Sequence, residues 1–374
     1  MSENRRPDTL RRVTQRAGAA PALRRPSACV VNFDGREYLE RSLGALRAVR
    51  DEVEEVLLVD NGSRDGSVDF VRERFPEARI VALGENRGPG AARNAGFELS
   101  RSDLVLFLDN DVFLTPGCCS TLVRALDTRA DAAIVTPRVV RDADRTTIQF
   151  DGASSHFLGL MALDHPDELL DDALGGVWEI SSLVSACMLV DRERWGGDAL
   201  FDESFFIYLE DHDLGIRTRL RGHRILAVAD AVCHHGPGTA GLSLRRTGTR
   251  HPTRVFLTIK NRWQILLKNY QVRTLLLLAP VLAFYETFQL AGAVRKGWLR
   301  PWLRAVGWIA RHRRELAASR REVQRTRRVP DRDLLGGGAL PFAPQLTTGA
   351  IDRLALRLLD AVCLGYWRII RRVL

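Results

Sequence analysis

The stretch that most constrains the fold of this chain is residues 104–111, with the sequence LVLFLDND. Five consecutive apolar, β-favouring residues predict a fully buried central strand. Two carboxylates, Asp109 and Asp111, follow at its carboxyl end, where an open α/β sheet binds its ligands. Acids two residues apart can converge on one divalent cation, although Asp and Asn are also ordinary turn residues.

Three more strand-like runs precede this one, at residues 28–32, 56–60 and 79–82, and helical patterns separate them. The alternation of strands and helices predicts an α/β fold with a doubly wound, mostly parallel sheet and right-handed crossovers.

Polar residues follow each predicted strand. They are Asn32 and Asp34 after the first, Asp60 after the second, Asn86, Arg87 and Arg93 after the third, and Asp109, Asn110 and Asp111 after the fourth. Because the carboxyl ends of parallel strands share one edge, these side chains are expected to meet. They offer acceptors for a base or ribose, an arginine and an acid pair, so a cation at Asp111 is expected to offset a diphosphate. The chain lacks the glycine-rich signatures of dinucleotide sites and P-loops.

A second group of candidate residues lies further along the chain. Glu210, Asp211 and Asp213 begin a predicted helix, where acids can simply complement the helix dipole. Four upstream aromatic residues instead favour a desolvated general base with a raised pKa. His235 precedes a Gly/Pro turn and is a candidate metal or phosphate ligand rather than a core histidine. The long polar stretch 141–178 predicts a functional loop or lid.

Seven segments in order resemble family 2 glycosyltransferases, closest to the bacterial rhamnosyltransferase-like branch. They are VVNFDG (30–35), VDNGSRDGS (59–67), NRGPGAARNAG (86–96), DND (109–111), FDESFF (201–206), EDHDL (210–214) and AVCHH (231–235). The resemblance covers about residues 27–270. It implies a GT-A fold and an inverting transfer from a nucleoside-diphosphate sugar, of the dTDP-rhamnose or UDP-hexose type, to a hydroxyl group.

The resemblance also implies roles for individual residues. The donor side comprises Asn32, Asp34, Asp60, Asn86, Arg87, Arg93, Asp109 and Asn110, with Asp60 and Arg93 at the base. Mg²⁺ or Mn²⁺ would be held by Asp109, Asp111 and His235. Asp211, beside Glu210, would be the base that deprotonates the acceptor, and Phe205, Phe206, Tyr208 and Trp178 would form the acceptor side. Two departures from the family pattern are Asp34, where a neutral residue is usual, and the run from Ser185 to Cys187.

The composition bounds the partners. The formal net charge of +9 and pI near 9.7 predict contact with an anion such as a nucleotide sugar, lipid head groups or nucleic acid. Arginine greatly outnumbers lysine, a bias typical of a GC-rich genome, and this argues against nucleic acid. The six cysteines lack zinc-site spacing and indicate reduced thiols in the cytoplasm. Residues 1–26 predict a disordered basic tail rather than a signal peptide.

The C-terminal third predicts helices that meet a membrane. Residues 27–250 form the predicted catalytic domain, residues 251–330 a basic amphipathic helical region, residues 331–350 a linker and residues 351–374 a last amphipathic helix. The apolar run 275–285, interrupted by Pro280, is short for a membrane span and suits an interfacial helix. Arginines with tryptophans favour anionic lipid, and hence a peripheral enzyme on the inner membrane face that uses a glycan or lipid-linked acceptor. The alternative is a helical subdomain packed on the catalytic domain.

Other functions fit the same residues less well. A haloacid-dehalogenase phosphatase would use Asp109 as its nucleophile, but it needs a lysine before its later acids, and the first lysine is Lys260. A nucleotidyltransferase would need a glycine-rich first loop. An inactive glycosyltransferase-like scaffold is disfavoured by the intact acids at 109, 111 and 211.

Overall fold

The computed structural model describes residues 23–197, 199–238, 251–341 and 349–374. Most of the predicted N-terminal tail and part of the predicted linker lie outside these ranges.

One ten-stranded sheet organises the molecule, with the main order β10-β12-β6-β11-β4-β1-β2-β3, and β5 and β7 pairing at its side. Its strands are β1 Ser27–Asn32, β2 Glu55–Asp60, β3 Arg79–Ala82, β4 Leu104–Asp109, β5 Val112–Leu114, β6 Ala132–Arg141, β7 Ile148–Phe150, β10 Val177–Ile180, β11 Cys187–Asp191 and β12 Arg224–His235. Strands β8 Ala153–His156 and β9 Leu160–Leu163 form a separate two-stranded sheet. The β4-β1-β2-β3 half is wholly parallel, as the sequence predicts. The carboxyl ends of these strands therefore form one edge.

Helices cover both faces of the sheet, which confirms the doubly wound prediction. They are α1 Arg36–Ala48, α2 Ser67–Arg74, α3 Pro89–Leu99, α4 Cys118–Asp127, α5 Arg192–Trp195 and α6 Glu210–Leu220. In β4, Leu106 packs into the core beneath α1, α2 and α4, whereas Phe107 packs into the opposite core beneath α3, α5 and α6. This alternation explains why β4 is apolar from Leu104 to Leu108, since both of its faces are buried there.

The other half of the sheet is mixed. Strand β11 lies antiparallel between β4 and β6, and β12 runs parallel to β6. Because β11 begins beside the end of β4, the loop before it also reaches the edge where β4 ends. Backbone N–H of Asp109 donates to the carbonyl of Ala186 across this junction (2.9 Å).

The predicted loop 141–178 contains β7 and the β8–β9 hairpin. Beneath it, the buried side chains of Arg138 and Asp151 form an ion pair (2.9 Å), and Asp151 also bonds His165 Nδ1 (2.7 Å). Much of this stretch is thus ordered around a buried charge pair.

In the described residues after the sheet the helices are α7 Pro252–Asn269, α8 Val272–Arg295, α9 Leu299–Arg311, α10 Arg313–Thr326 and α11 Ala350–Ile370. Ile265 of α7, Leu278 of α8 and Trp367 of α11 join Phe205 and Ile216, from the region of the sheet, in one apolar core. The helices therefore pack on the domain that contains the sheet, as in the alternative interpretation. Residues from the predicted linker pack there too, since Leu334 and Leu335 are buried.

Helix α8 is longer than the apolar run in the sequence suggested, because it continues through Pro280 for 24 residues. Among the described helices it alone has the length and hydropathy of a membrane-spanning helix, with mean hydropathy 1.5 and only 22% of that window buried. This comparison uses only length and composition, and a single such helix is weak support for a membrane contact.

Candidate active site

A buried hydrogen-bond network joins the ends of the three central parallel strands. Asn32 at the end of β1 is fully buried and donates through Nδ2 to Asp60 Oδ1 at the end of β2 (3.0 Å) and to Ser63 Oγ (3.0 Å). Asn110, after β4, donates to Asn32 Oδ1 (2.9 Å). Because each partner satisfies the next, the network fixes the side-chain orientations on which ligand recognition at this edge depends.

The loop after β1 also closes on this network. The backbone N–H of Asp34 donates to Ser63 Oγ (2.9 Å), and Asp34 Oδ1 accepts from the backbone N–H of Arg64 (2.7 Å). Asp34 has a positive φ of 45°, a conformation that Asp tolerates better than most residues. Asp34 thus joins the loops that follow β1 and β2.

A second polar chain orders the loop after β3. Asn61 donates to Asn86 Oδ1 (3.0 Å) and accepts from the backbone N–H of Arg87 (2.9 Å). The Arg87 side chain is about half exposed and pairs with Glu203 (3.0 Å). Arg87 therefore joins the loop 83–88, named the donor loop after its expected role, to the segment that precedes α6.

Asp109, Asp111 and His235 form a candidate metal centre. Each offers one ligand atom, and these atoms lie within 4.8 Å of one another. The His235 Nε2 to Asp111 Oδ1 distance is 3.3 Å, and both residues are nearly buried, whereas the Asp109 side chain is 34% exposed. Two carboxylate oxygens and one imidazole nitrogen suit Mn²⁺ well and Mg²⁺ acceptably. The donor set fits the predicted cation, and the exposed side of Asp109 leaves room for a ligand.

Arg93 links this centre to the acids Glu210 and Asp211 at the start of α6. Its buried guanidinium pairs with Asp109 through Nη2 and also donates to the carbonyl of Ser185 (3.1 Å). Its Nε and Nη1 have no hydrogen-bond partner among the described residues. A buried guanidinium with spare donors is suited to oxygen atoms of a ligand. Arg93 and Asp60 are predicted together at the base. In the structure Arg93, on α3, lies beside Asp109 and Ser185, whereas Asp60 lies in the Asn32 network.

Glu210 and Asp211 begin α6 at the same edge. Burial, and then the charge of Asp211, raise the pKa of Glu210. Desolvation raises the pKa of Asp211 as well, while the backbone N–H groups of His212 (2.8 Å) and Ser185 (3.4 Å) stabilise its carboxylate. Glu210 Oε2, by contrast, is buried with no partner among the described residues. Asp211 is thus the better anion of the pair, and Glu210 is the better place for a proton.

The charge of Arg93 lowers the pKa of both acids. This electrostatic coupling places Arg93, the Glu210–Asp211 pair and Asp109 in one site.

The segment before α6, residues 203–209, has an unusual backbone and is called the acceptor segment below. Phe206, Tyr208 and Leu209 all have positive φ, at 65°, 70° and 65°. Each such residue costs about 1–3 kcal/mol unless its surroundings enforce it, and such strain clusters at functional sites. At Phe206 the ψ of −72° and the Ile207 N–H to Phe205 O bond (3.0 Å) define a rare γ-turn.

The predicted acceptor-side aromatics are not together. Phe206 is 39% exposed, but Phe205 is fully buried in the core shared with the C-terminal helices. Trp178 lies on β10, where its ring contacts that of His165 with centroids 5.9 Å apart. Phe206 and Tyr208 are thus the aromatic residues of the acceptor segment with accessible surface.

Gly88 is where the donor loop touches the acceptor segment. A Cβ at this position would lie 2.2 Å from the carbonyl oxygen of Phe206, and the φ of Gly88 is +86°. Only glycine fits this approach without a shift of one of the two loops.

Several residues of the site escaped individual prediction. Asn61, Ser63 and Asn94 lay inside quoted motifs but had no assigned role, although turn-forming polar residues beside a predicted site were a usable signal. Asn94 Nδ2 donates to the Phe201 carbonyl (2.9 Å). Ser185 binds both Arg93 and Asp211 through its backbone, for which its residue type gave no signal.

Comparison with known proteins identifies this arrangement. Residues 27–173 match the model of glycosyl transferase family 2. Over 238 residues the chain is 30% identical to N-acetylglucosaminyl-diphospho-decaprenol L-rhamnosyltransferase of Mycobacterium tuberculosis, covering 56% of this chain and 76% of that protein.

Two solved structures share the fold. GalNAc-T7 with UDP, GalNAc and Mn²⁺ superposes with a TM-score of 0.53 at 14% identity, covering 68% of this chain and 49% of that one. Residues 1–349 of Staphylococcus aureus TarS superpose with a TM-score of 0.50 at 16% identity, covering 92% and 91%.

The sheet, its ligand edge and these likenesses define a glycosyltransferase with a GT-A-like α/β fold. The chain belongs to glycosyltransferase family 2 and resembles its rhamnosyltransferases.

Proposed function

We propose that this protein catalyses an inverting transfer of a sugar from a nucleoside diphosphate to a hydroxyl group. One observation supports the proposal above the others. Arg93 pairs with Asp109 of the candidate metal centre, and its carbonyl partner Ser185 also donates a backbone N–H to Asp211. A group suited to bind a diphosphate and a group suited to deprotonate a hydroxyl thus share one site, which direct displacement requires.

The donor would occupy the edge formed by the Asn32 network. Asp60 accepts hydrogen bonds there and is the proposed partner of the base, while Asn86, Arg87 and Asn110 fix the surrounding loops. Asp109, Asp111 and His235 would hold Mg²⁺ or Mn²⁺. The bound cation would supply electrostatic stabilisation of the departing diphosphate. The spare donors of Arg93 would bind donor oxygens beside Asp109.

Asp211 is the proposed general base. Its carboxylate is held by two backbone N–H groups, and its raised pKa makes it a better proton acceptor than an ordinary Asp. Glu210, whose pKa is raised by burial and by the charge of Asp211, would keep a proton and spare the site a second negative charge. Phe206 and Tyr208 would border the acceptor, and Phe205 and Trp178 would contribute only through the shape of the surrounding structure.

The donor is proposed to be a dTDP-rhamnose or UDP-hexose type sugar and the acceptor a lipid-linked or polysaccharide glycan of the cell envelope. The name of the mycobacterial relative, a rhamnosyltransferase acting on a decaprenol-linked sugar, supports both. We further propose that the protein lies peripherally on the cytoplasmic face of an anionic membrane. Exposed apolar residues on α8 and α11, among them Leu276, Leu354 and Leu358, support that location.

Nucleotide-sugar screening tests the donor. Melting temperature is measured with dTDP-rhamnose, UDP-galactose and UDP-N-acetylglucosamine, each with and without Mn²⁺, since a bound donor stabilises by mass action. With the stabilising donor, Asp211→Asn is expected to lose about 10²–10⁴-fold in transfer rate while keeping the donor-induced shift. Unchanged transfer by Asp211→Asn or Asp111→Ala would remove the site assignment. Donor binding without any transfer would favour the scaffold interpretation.

A further inference from the structure

We propose that Asn261 and Lys260 of α7 are positioning residues, which hold the acceptor segment in its strained conformation beside the catalytic acids. The inference rests on the proposed function for its catalytic consequence, but its structural part can be tested alone. It extends the active site into the C-terminal helices, for which the sequence predicted only membrane contact or packing on the catalytic domain.

Asn261 makes the central contacts. It is fully buried, and its Nδ2 lies 3.1 Å from the carbonyl oxygen of Phe205, 3.0 Å from that of Ile207 and 2.6 Å from that of Tyr208. Its two hydrogens are therefore shared among three carbonyls of one short segment. These carbonyls flank the positive-φ residues Phe206 and Tyr208.

The strain explains why such a partner is needed. A chain with three non-glycine residues at positive φ among four does not prefer that conformation on its own. Hydrogen bonds to the intervening carbonyls are available only when the backbone turns as observed. The side chain of Asn261 thus stabilises the strained form selectively.

Lys260 and residues in the next turns of α7 also bind the acceptor segment and its flanks. Lys260 Nζ donates to the Ser204 carbonyl (2.6 Å), and Gln264 donates to Ser204 Oγ (2.9 Å). Lys268 Nζ bonds Asp202 (2.7 Å) and Asp213 (2.8 Å), one on either side of the segment and the acids. Residues 260, 264 and 268 lie on one helical face because they are four apart. A single row of α7 therefore holds the segment from both ends.

The position of the acceptor segment connects these contacts to the proposed catalysis. It ends at Leu209, directly before Glu210, and Phe206 abuts Gly88 of the donor loop. A relaxed segment would move the acceptor side away from the donor loop and turn the first residues of α6. Displacement of a reacting group by about 1 Å can cost on the order of 100-fold in rate.

The structural test uses Asn261→Asp, which keeps the shape but replaces the donor with an oxygen facing three carbonyls. The protein has five tyrosines, so 3-fluorotyrosine labelling gives a countable fluorine spectrum in which Tyr208→Phe assigns the Tyr208 signal. We expect Asn261→Asp to shift or broaden that signal and leave the other four in place. An unmoved Tyr208 signal would overturn the proposal.

A matched control separates positioning from general stability. Ile265→Val removes one methylene from the buried apolar face of α7 and leaves the hydrogen bonds from Lys260, Asn261 and Gln264 to the segment intact. It is expected to lower the melting temperature while the Tyr208 signal and activity stay near those of the parent. If Asn261→Asp does not fold, Lys260→Met keeps the aliphatic stem and removes one donor, and a weaker shift of the same Tyr208 signal is expected.

Kinetics then test the catalytic part. Asn261→Asp is expected to lower kcat/KM for the acceptor by about 10- to 100-fold with donor affinity unchanged. A moved Tyr208 signal with unchanged transfer would refute the positioning role while leaving the proposed function intact. Loss of transfer by Asn261→Asp and Ile265→Val in proportion to their melting temperatures would reduce Asn261 to a stabilising residue.

Discussion

Two adjacent carboxyl groups with different surroundings distinguish this site at the level of single residues. Asp211 receives two backbone N–H groups, whereas Glu210 has a buried oxygen with no partner among the described residues. These surroundings therefore favour Asp211 as the carboxylate and Glu210 as the group that holds a proton. The sequence could locate the pair through its place at a helix start after several aromatics. The residue pattern alone could not distinguish the two roles, which only the family resemblance assigned, because the difference depends on Ser185 from a distant loop.

Glu210 makes stability depend on pH in a predictable direction. Burial and the Asp211 charge raise its pKa from 4.5 to about 8. Its contribution to stability is thus fully present below about pH 4.5 and is lost as pH rises through about 8, since the folded state binds the proton more tightly. Glu210→Gln, which mimics the protonated form, should melt close to the parent near about pH 5 and above it near about pH 9.

Melting scans of metal-free protein across this range measure the effect. A difference in melting temperature that does not change with pH would mean that Glu210 titrates as an ordinary carboxyl group. Glu322→Gln is the matched control, because Glu322 is exposed on α10 and ion-paired with Arg325 instead of desolvated.

The candidate metal centre makes a second prediction for single residues. Asp111→Asn keeps the side-chain shape but removes one of two carboxylates near His235. Mn²⁺ with UDP or dTDP should stabilise the parent, by about 3 kcal/mol at a hundredfold excess over Kd, and should barely stabilise the variant. Thermal shift with and without EDTA measures this. Asp69→Asn, at an exposed acid of α2, should retain the whole shift.

At the level of elements, the strand ends were predictable and their antiparallel neighbours were not. Buried apolar runs closing on Asn32, Asp60 and Asp109 carry their own signal, because parallel strands are apolar and end in ligand-binding turns. The insertion of β11 between β4 and β6 pairs it with β4 residues about eighty positions away along the chain and with β6 residues about fifty-five positions away. Such pairing depends on what else competes for the edge of β4, and no local pattern encodes it. The role of Ser185 was missed for this reason.

The contact between the donor loop and the acceptor segment yields a prediction with an internal control. Gly88→Ala combines positive-φ strain with a Cβ 2.2 Å from the Phe206 carbonyl, whereas Gly84→Ala has a φ of +79° and open space. Gly84→Ala should cost about 1–2 kcal/mol of unfolding free energy from the backbone alone. Gly88→Ala should cost more and should also weaken transfer.

Denaturant unfolding and steady-state kinetics on both variants measure the difference. If the two variants lose equal stability and equal activity, the loops do not depend on each other at this contact. A selective loss in Gly88→Ala would instead mean that donor and acceptor sides are held together through a single backbone approach.

At the level of the whole molecule, the C-terminal helices have two faces with different tasks. Their inner face packs on the catalytic domain through Ile265, Leu278 and Trp367 and reaches the acceptor segment through Asn261. Their outer face remains apolar on α8 and α11. Sequence alone predicted amphipathic helices here but could not choose between packing and membrane contact, because the apolar face of such a helix can serve either purpose. The structure separates these residues by burial.

The outer face makes the last prediction, which concerns the proposed membrane location. On α11, Leu354 and Leu358 are 61% and 59% exposed, and Arg353 and Arg357 are exposed beside them. Helix α8 packs alongside, since Tyr366 Oη donates to the Leu277 carbonyl (2.6 Å). Apolar side chains between arginines suit the interface of an anionic bilayer.

Leu354→Asp with Leu358→Asp should therefore weaken binding to phosphatidylglycerol vesicles by more than about tenfold, because two leucine side chains that would insert into the bilayer are lost. Cosedimentation measures this, with phosphatidylcholine vesicles expected to bind the parent weakly. Leu174→Asp is the matched control, since Leu174 is 62% exposed on the catalytic domain. Equal vesicle binding by the double variant and the control would assign the apolar outer face to another partner, and retained transfer to a soluble acceptor would confirm that the catalytic site is intact.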